Sequence, residues 1–162
     1  MEQRLVPDDF VIPDEVKTDR FLLRMIRVSD VEKDYDAVMS SLEHLRNVFK
    51  PDDTWPADDL TLEQDKEDLK WHQSEFRKRT SFTYMVMSLD ENQCLGGVHI
   101  YPSEKEQYET KVFIWVRASE RSTDLDEVLF TAVQKWLSDI WPFKQVAFPG
   151  RQIPWEEWAK LE

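Results

Sequence analysis

Residues 111–137, KVFIWVRASERSTDLDEVLFTAVQKWL, carry the pattern that decides the fold. Their first third is strand-like: Val112, Phe113, Ile114, Trp115 and Val116 are β-branched or aromatic, the types that fit a pleated, half-buried surface. Their last half is helical. Leu125, Val128, Leu129, Ala132, Val133, Trp136 and Leu137 recur at helical spacing, Ile140 continues the run, and Pro142 stops it. This is the most hydrophobic helix pattern in the chain, so it is expected at the centre of the domain. Asp124 and Glu127 have the spacing of a capping box at its start. A polar connection, RASERST, joins strand to helix.

Upstream, residues 82–89 (FTYMVMSL) and 94–101 (CLGGVHIY) read as two more strands, joined at Asp90-Glu91-Asn92 and ended by Pro102. With a third strand over 110–117 they form a meander, and the short connections predict antiparallel pairing. Residues 21–26, FLLRMI, read as the first strand of the sheet. Ser29 and Glu32 suggest a capping box for a helix over 30–47, with a break near Ser40-Ser41. Residues 48–60 form a loop containing Pro51 and Pro56. Trp55 in that loop either plugs the core or lines a site. Thr61 is placed to cap a second helix with the stripe Leu62, Leu69, His72 and Phe76. His72 there is either a half-buried structural group or a catalytic one. Arg77-Lys78-Arg79 at the helix end complements its dipole. Residues 144–148 make a last short strand, parallel to its predecessor, and 154–158 a helical turn starting at proline. The order strand, helix, helix, three strands, helix, strand predicts an α+β (mixed α/β) fold, with helices against one twisted sheet of five or six mostly antiparallel strands. The 162 residues suit a single domain, 1–162. Residues 1–19 form an N-terminal strap, with Phe10-Val11-Ile12 as a lone strand or cover, and 149–162 form a short tail.

The formal net charge of −12 opposes nucleic acid and anionic membranes as partners. It suits a cationic substrate, a small-molecule amine or a basic peptide; solubility accounts for it equally. Cys94 is the single cysteine, which excludes an internal disulfide. No stretch has the length of a membrane span, and the acidic N-terminus lacks the apolar run of a signal peptide, so a cytoplasmic protein is expected. The three glycines, Gly96, Gly97 and Gly150, cannot build a glycine-rich phosphate cradle. His44, His72 and His99 show no metal spacing, and no metal site is expected. No nucleophile elbow, HExxH or Walker loop is present.

Three stretches together resemble the GCN5-related N-acetyltransferase (GNAT) superfamily, especially its ribosomal-protein acetyltransferases. They are TDRFLLRMIRVSD near the start, CLGGVHIYP, and the 111–137 stretch. The similarity covers about residues 18–148 and rests on element order and strand texture. It implies an N-acetyltransferase that moves an acetyl group from acetyl-CoA to a primary amine of a small molecule or protein. The implied signature is Arg or Gln, two residues, Gly, one residue, then Gly or Ala, whose backbone amides hold the pyrophosphate at a helix N-terminus. Here Arg121 falls on the first position, Ser122 on the next, Asp124 on the central glycine and Asp126 on the last small residue. Aspartates there bring carboxylates toward an anionic group, and Asp124 is expected to cap its own helix with the amides a phosphate needs.

The resemblance also implies a pantetheine arm lying along the backbone of Ile114, Trp115, Val116 and Arg117 in a splay between two strands. It makes Glu109 the positional candidate for activating the amine, with His99 and Tyr101 sharing one side of a strand toward the acceptor. The region PGRQIPW lacks the tyrosine that often protonates the leaving thiolate in the family. The chain also stops short of the family's closing helix and strands. Arg151 is expected to pair with Glu156 or Glu157. The exposed sheet edge admits a monomer or a homodimer. The alternative to an enzyme is a catalytically degenerate GNAT-fold binding or regulatory module that binds CoA weakly or not at all.

Overall fold

The computed structural model describes residues 4–162. Six strands form one sheet in sequence order: β1 (Glu15–Lys17), β2 (Leu22–Met25), β3 (Phe82–Met87), β4 (Cys94–Pro102), β5 (Thr110–Val116) and β6 (Val146–Ala147). Pairing is antiparallel from β1 to β5 and parallel between β5 and β6. The parallel step follows from its connection: α4 (Leu125–Ile140) carries the chain back over the sheet before β6. The other helices are α1 (Val31–Met39), α2 (Leu42–Leu45), α3 (Leu62–Lys78) and α5 (Trp155–Lys160).

Two apolar layers lie on the two sheet faces. Phe21, Leu23, Tyr84, Val86, Val98, Ile100, Val112, Ile114 and Val116 pack with Leu129, Val133 and Trp136 of α4. Leu22, Met85, Met87 and Trp115 pack with Val38, Leu45 and Leu69 of the other helices. The pleat of β5 sends alternate residues to the two layers.

Local details differ from the sequence expectations. The N-terminal strand lies at 15–17, not 10–12, because it is Glu15–Lys17 that pairs with β2. The strap beyond it is tied down by Leu5 N–H to Arg79 O (2.8 Å) and by the Tyr84 hydroxyl to Pro13 O (2.6 Å); residues 1–3 lie outside the described residues. Arg79 itself adopts a left-handed backbone at φ 66° and donates its guanidinium to Pro7 O and Phe10 O, so it clasps the strap besides ending α3. The Ser29–Glu32 box does not form. Residues Val28–Asp30 make a 3₁₀ turn, and Asp30 turns instead to buried Arg24, at 2.5 and 3.1 Å. Thr61 does form a box, with Gln64 as its partner. The stripe of α3 is shifted: Leu62 is exposed while Asp65 is buried. The helix over 30–47 is broken at Ser40-Ser41 into α1 and α2.

Gly96 shows how closely β4 and β5 approach. A Cβ there would lie 2.0 Å from the carbonyl oxygen of Trp115, which is backbone and cannot rotate away. Gly96→Ala should therefore cost about 3 kcal/mol or more, in the range of severe core overpacking. Chemical denaturation checks this, and an unchanged midpoint would contradict the close approach.

Candidate functional site

The β5–β6 ladder contains only Thr110↔Val146 and Lys111↔Ala147. Past it the chain turns out of the sheet: Phe148 O accepts from the amides of Arg151 (3.0 Å) and Gln152 (3.1 Å). A gap therefore opens beside Ile114, with a cavity of about 210 Å³ among His44, Asn47, Phe113, Ile114 and Gly150. Arg151 reaches into this gap. Its Nη2 donates to Ile114 O at 3.1 Å, and its two terminal nitrogens donate to the Asp126 carboxylate at 2.9 and 2.6 Å. The guanidinium also lies over the Phe130 ring, 5.1 Å from its centroid. The partner of Arg151 is thus Asp126, not Glu156 or Glu157, because the turn at 148–153 points it toward α4.

The connection before α4 is closed on itself. Its first part, Ala118–Glu120, is a 3₁₀ turn. The Arg121 amide donates to Ala118 O and the Thr123 amide to Glu120 O, each at 3.1 Å, and the Leu125 amide donates to Thr123 Oγ1 at 3.2 Å. Asp124 makes no side-chain cap. Its carboxylate meets Arg20 from before β2 at 2.7 Å, and that guanidinium holds it below the usual carboxylate range. Arg121 and Ser122 are exposed. Arg117 is buried, bonding Cys94 O and Asp36, both at 3.0 Å, so its side chain joins β4 to α1. Val116 belongs to the α4 layer. These residues are a poor fit to a pyrophosphate and pantetheine arm: the amides of Arg121, Thr123 and Leu125 are internally bonded, and a guanidinium holds the Ile114 carbonyl.

A larger cavity, about 660 Å³, lies between the sheet and the helices α1 and α3. Phe49, Trp55, Trp71, Phe113 and Trp115 supply aromatic walls, while Asp34, Asp65 and Asp68 supply carboxyls. His72, His99 and Tyr101 also line it. Trp115 Nε1 donates to His99 Nε2 at 3.2 Å, and since an indole N–H only donates, that imidazole nitrogen is bare. His99 Nδ1 therefore carries the proton, facing Thr83 Oγ1 and the Tyr101 hydroxyl, each at 3.4 Å. Thr83 Oγ1 lies 3.1 Å from His72 Nδ1, within hydrogen-bond distance. Burial keeps both imidazoles neutral: His99 is pushed well below its ordinary value, with His72 adding to the effect, and His72 falls to about 4. Burial also raises the Tyr101 phenol.

Asp34 on α1 faces Asp65 on α3. Burial first, then the Asp65 charge, pushes the Asp34 carboxyl well above its usual range, and its hydrogen bond to Asp65 favours the protonated form. Burial raises Asp65 and Asp68 too, opposed at Asp68 by a hydrogen bond from Trp55. The sequence reading missed this cluster. Asp65, Asp68 and His72 recur at helical spacing on one face of α3, a signal that the apolar stripe of Leu62, Leu69, His72 and Phe76 shares only at His72.

Of the residues singled out by resemblance, the structure brings His99, Tyr101 and Trp115 together at the large cavity, with Ile114 at the smaller one. Phe113 lines both cavities. Glu109 is apart from the large cavity: its Oε1 accepts from the amides of Lys144 (2.6 Å) and Gln145 (2.9 Å), fixing the entry to β6. Cys94 is buried and its thiol is pushed up by burial. Among the described residues there is no cluster of three or more metal-ligating side chains, and no helix is long and apolar enough to cross a membrane.

The gap beside a strand that leads into a central helix, in a mostly antiparallel six-stranded sheet, is decisive for the architecture. The fold is that of the GCN5-related N-acetyltransferases. Known structures of this GNAT fold align over most of the chain. The ribosomal-protein-S5-alanine acetyltransferase from Vibrio fischeri aligns at TM-score 0.66 and 16% identity, over 90% of this chain and 78% of that one. A ribosomal L7/L12 alpha-N-protein acetyltransferase in complex with coenzyme A gives 0.61 and 14%, over 78% and 67%. A microcin C7 self-immunity acetyltransferase with acetyl-CoA and AMP gives 0.61 and 12%, over 82% and 72%. No family model and no curated protein sequence matches the chain.

The buried histidines set a pH dependence. A histidine whose folded pKa lies below its unfolded value stabilises the fold fully above the unfolded pKa, and loses that contribution as pH falls toward the folded pKa. For His72 the window runs from about 6.5 down to about 4. His72→Gln should therefore remove about 1–2 kcal/mol of acid destabilisation between neutral pH and about pH 5. Thermal unfolding of both proteins across that range is the check; parallel curves would rule it out.

Proposed function

We propose that this chain is a GNAT-fold binding module whose coenzyme slot is closed and whose large cavity holds a small ligand. The observation that carries this reading is Arg151, which donates to Ile114 O while paired bidentately with Asp126. Charge-assisted bidentate pairs of this kind are both directional and strong. The Ile114 carbonyl is the backbone group that a pseudo-strand ligand would need, and the side chain supplies its hydrogen bond from within the protein. Asp124 and Asp126 add carboxylates where a pyrophosphate would have to come close. The cavity of about 660 Å³ falls in the size range of small-molecule sites, which favours a small cationic ligand over a basic peptide.

A second reading keeps an N-acetyltransferase acting from acetyl-CoA on a primary amine. One observation favours it: the gap between β5 and β6 persists, and Phe113 lines both that gap and the large cavity. In that reading Arg151 leaves the gap on cofactor binding, Ile114, Trp115, Val116 and Arg117 face the pantetheine arm, and Arg121, Ser122 and Asp124 its phosphates. His99 and Tyr101 then border the acceptor. Glu109 has a structural part in either reading, as the clasp of β6.

Calorimetric titration with acetyl-CoA separates the two. The wild-type chain should give no saturable heat up to about millimolar cofactor, whereas tenfold-dilute saturation in the micromolar range would sink the closed-slot reading. Replacing Asp124 and Asp126 by glycine together with Arg151→Ala should make binding measurable, a gain of about tenfold or more, because it frees the Ile114 carbonyl and removes two carboxylates.

A further inference from the structure

We infer that residues 150–162 form a displaceable strap, an intramolecular plug that leaves the body of the protein as one unit and frees the Ile114 carbonyl and the Phe113 ring together. The inference rests on the reading of the coenzyme slot as closed, and names the element whose release opens it.

The strap starts where the chain turns out of the sheet. Gly150 holds a left-handed backbone at φ 82°, and its amide donates to Ile153 O at 2.8 Å. Glycine adopts that conformation without the steric cost other residues meet. From there the contacts descend along β5 in order. Arg151 meets Ile114 O, and Trp155 stacks on Phe113 with ring centroids 6.2 Å apart and planes 16° from parallel. Trp158 packs on Tyr108 at 5.9 Å, and Glu162 O accepts from the Glu106 amide at 2.7 Å. Lys105 is the clasp at the far end: its Nζ donates to Leu161 O at 2.8 Å and lies 5.6 Å from the centroid of the Trp158 ring.

The segment is held at few points. Within it Trp158 alone is buried, Ile153, Trp155 and Leu161 are partly buried, and the rest are exposed. The helix α5 has six residues and no side-chain cap, so it is too short to persist without its docking contacts. No part of the strap belongs to the six-stranded sheet; Ile153 makes only an isolated bridge to Pro149. A segment with little buried surface and no share of a ladder opens at a lower free energy than the core. The core here is β3 and β4, which are buried along nearly their whole length.

The strap acts on both cavities. Through Arg151 it supplies the hydrogen bond of the Ile114 carbonyl in the gap. Through Trp155 it backs Phe113, which lines the gap and the large cavity and also packs on Phe49 at 5.3 Å and Tyr101 at 6.1 Å. Because both contacts lie on one continuous segment, undocking of α5 withdraws both, and a ligand that moves Phe113 from the large-cavity side works against the same stack.

Hydrogen exchange of the full chain, read amide by amide by NMR under native conditions, tests this. The reporters are the amides of Gly150, Trp158 and Glu106, compared with those of the β3–β4 ladder. All three should exchange through one common opening, at least about tenfold faster than the ladder. Arg151→Ala, at one end, should speed exchange at Trp158 and Glu106 about fivefold or more, and Lys105→Ala, at the other, should do the same at Gly150, with the ladder unchanged. Trp158→Ala should have the larger effect; if that variant does not fold, the two milder ones carry the test. Acceleration confined to the substituted end means separate fraying, and reporters that exchange only with the ladder mean a permanent wall; either result overturns the inference. A wild-type chain that binds acetyl-CoA while the strap exchanges as expected would sink the closed slot and leave the strap. Reporters tied to the ladder in a chain that binds no acetyl-CoA would sink the strap and leave the slot closed.

Discussion

The pleat of β5 organises everything else. Because successive side chains leave opposite faces of a strand, Val112, Ile114 and Val116 are committed to the layer under α4, while Phe113 and Trp115 are committed to the other face. A one-residue slip would exchange the two sets and place indole and phenyl rings against α4. The antiparallel ladder with β4 holds the register from Pro102↔Thr110 to Gly96↔Val116, and the bare Cα of Gly96 is what lets the two backbones meet there. Both cavities depend on this arrangement. The small one borders Ile114, the large one is backed by Trp115, and Phe113 stands between.

The electrostatics of the two cavities are opposite in kind. At the gap, charge is saturated: Arg151 has Asp126, and Arg20 has Asp124. Asp124 and Asp126, at the start of α4, are thereby each matched by a cation from elsewhere in the chain. In the large cavity, charge is unsaturated: three carboxyls gather near neutral imidazoles. Surface pairs such as Arg20–Asp124 contribute little individually in water. The Arg151 clasp differs because one of its donors also satisfies a backbone carbonyl.

The meander, the central helix and the parallel last strand were legible in the sequence because each is set by local periodicity and by connection length. The two failed capping boxes show the limit of that reasoning. Ser29–Glu32 and Asp124–Glu127 have the right spacing, but Val28–Asp30 is a 3₁₀ turn whose Asp30 is held by Arg24, and the Asp124 carboxylate is taken by Arg20, a charged donor that outcompetes the helix amides. The acids at the start of α4 were legible, yet the partner of Asp126 was not, because Arg151 and Asp126 meet only through the turn after β6. The acidic cluster was invisible for a related reason. Asp34 and Asp65 come together only when α1 docks on α3, and sequence alone assigns lone acids on amphipathic helices to solvent.

The hydrogen bonds behind the large cavity start from a donor that cannot accept. Trp115 can only donate, so His99 accepts at Nε2 and carries its hydrogen on Nδ1, facing Thr83 Oγ1 and the Tyr101 hydroxyl. The buried His99 imidazole is left with one tautomer. A recognition surface whose donors and acceptors are already sorted loses less entropy when it is occupied. A single indole in β5 thus sets which nitrogen of His99 is turned toward Thr83 and Tyr101.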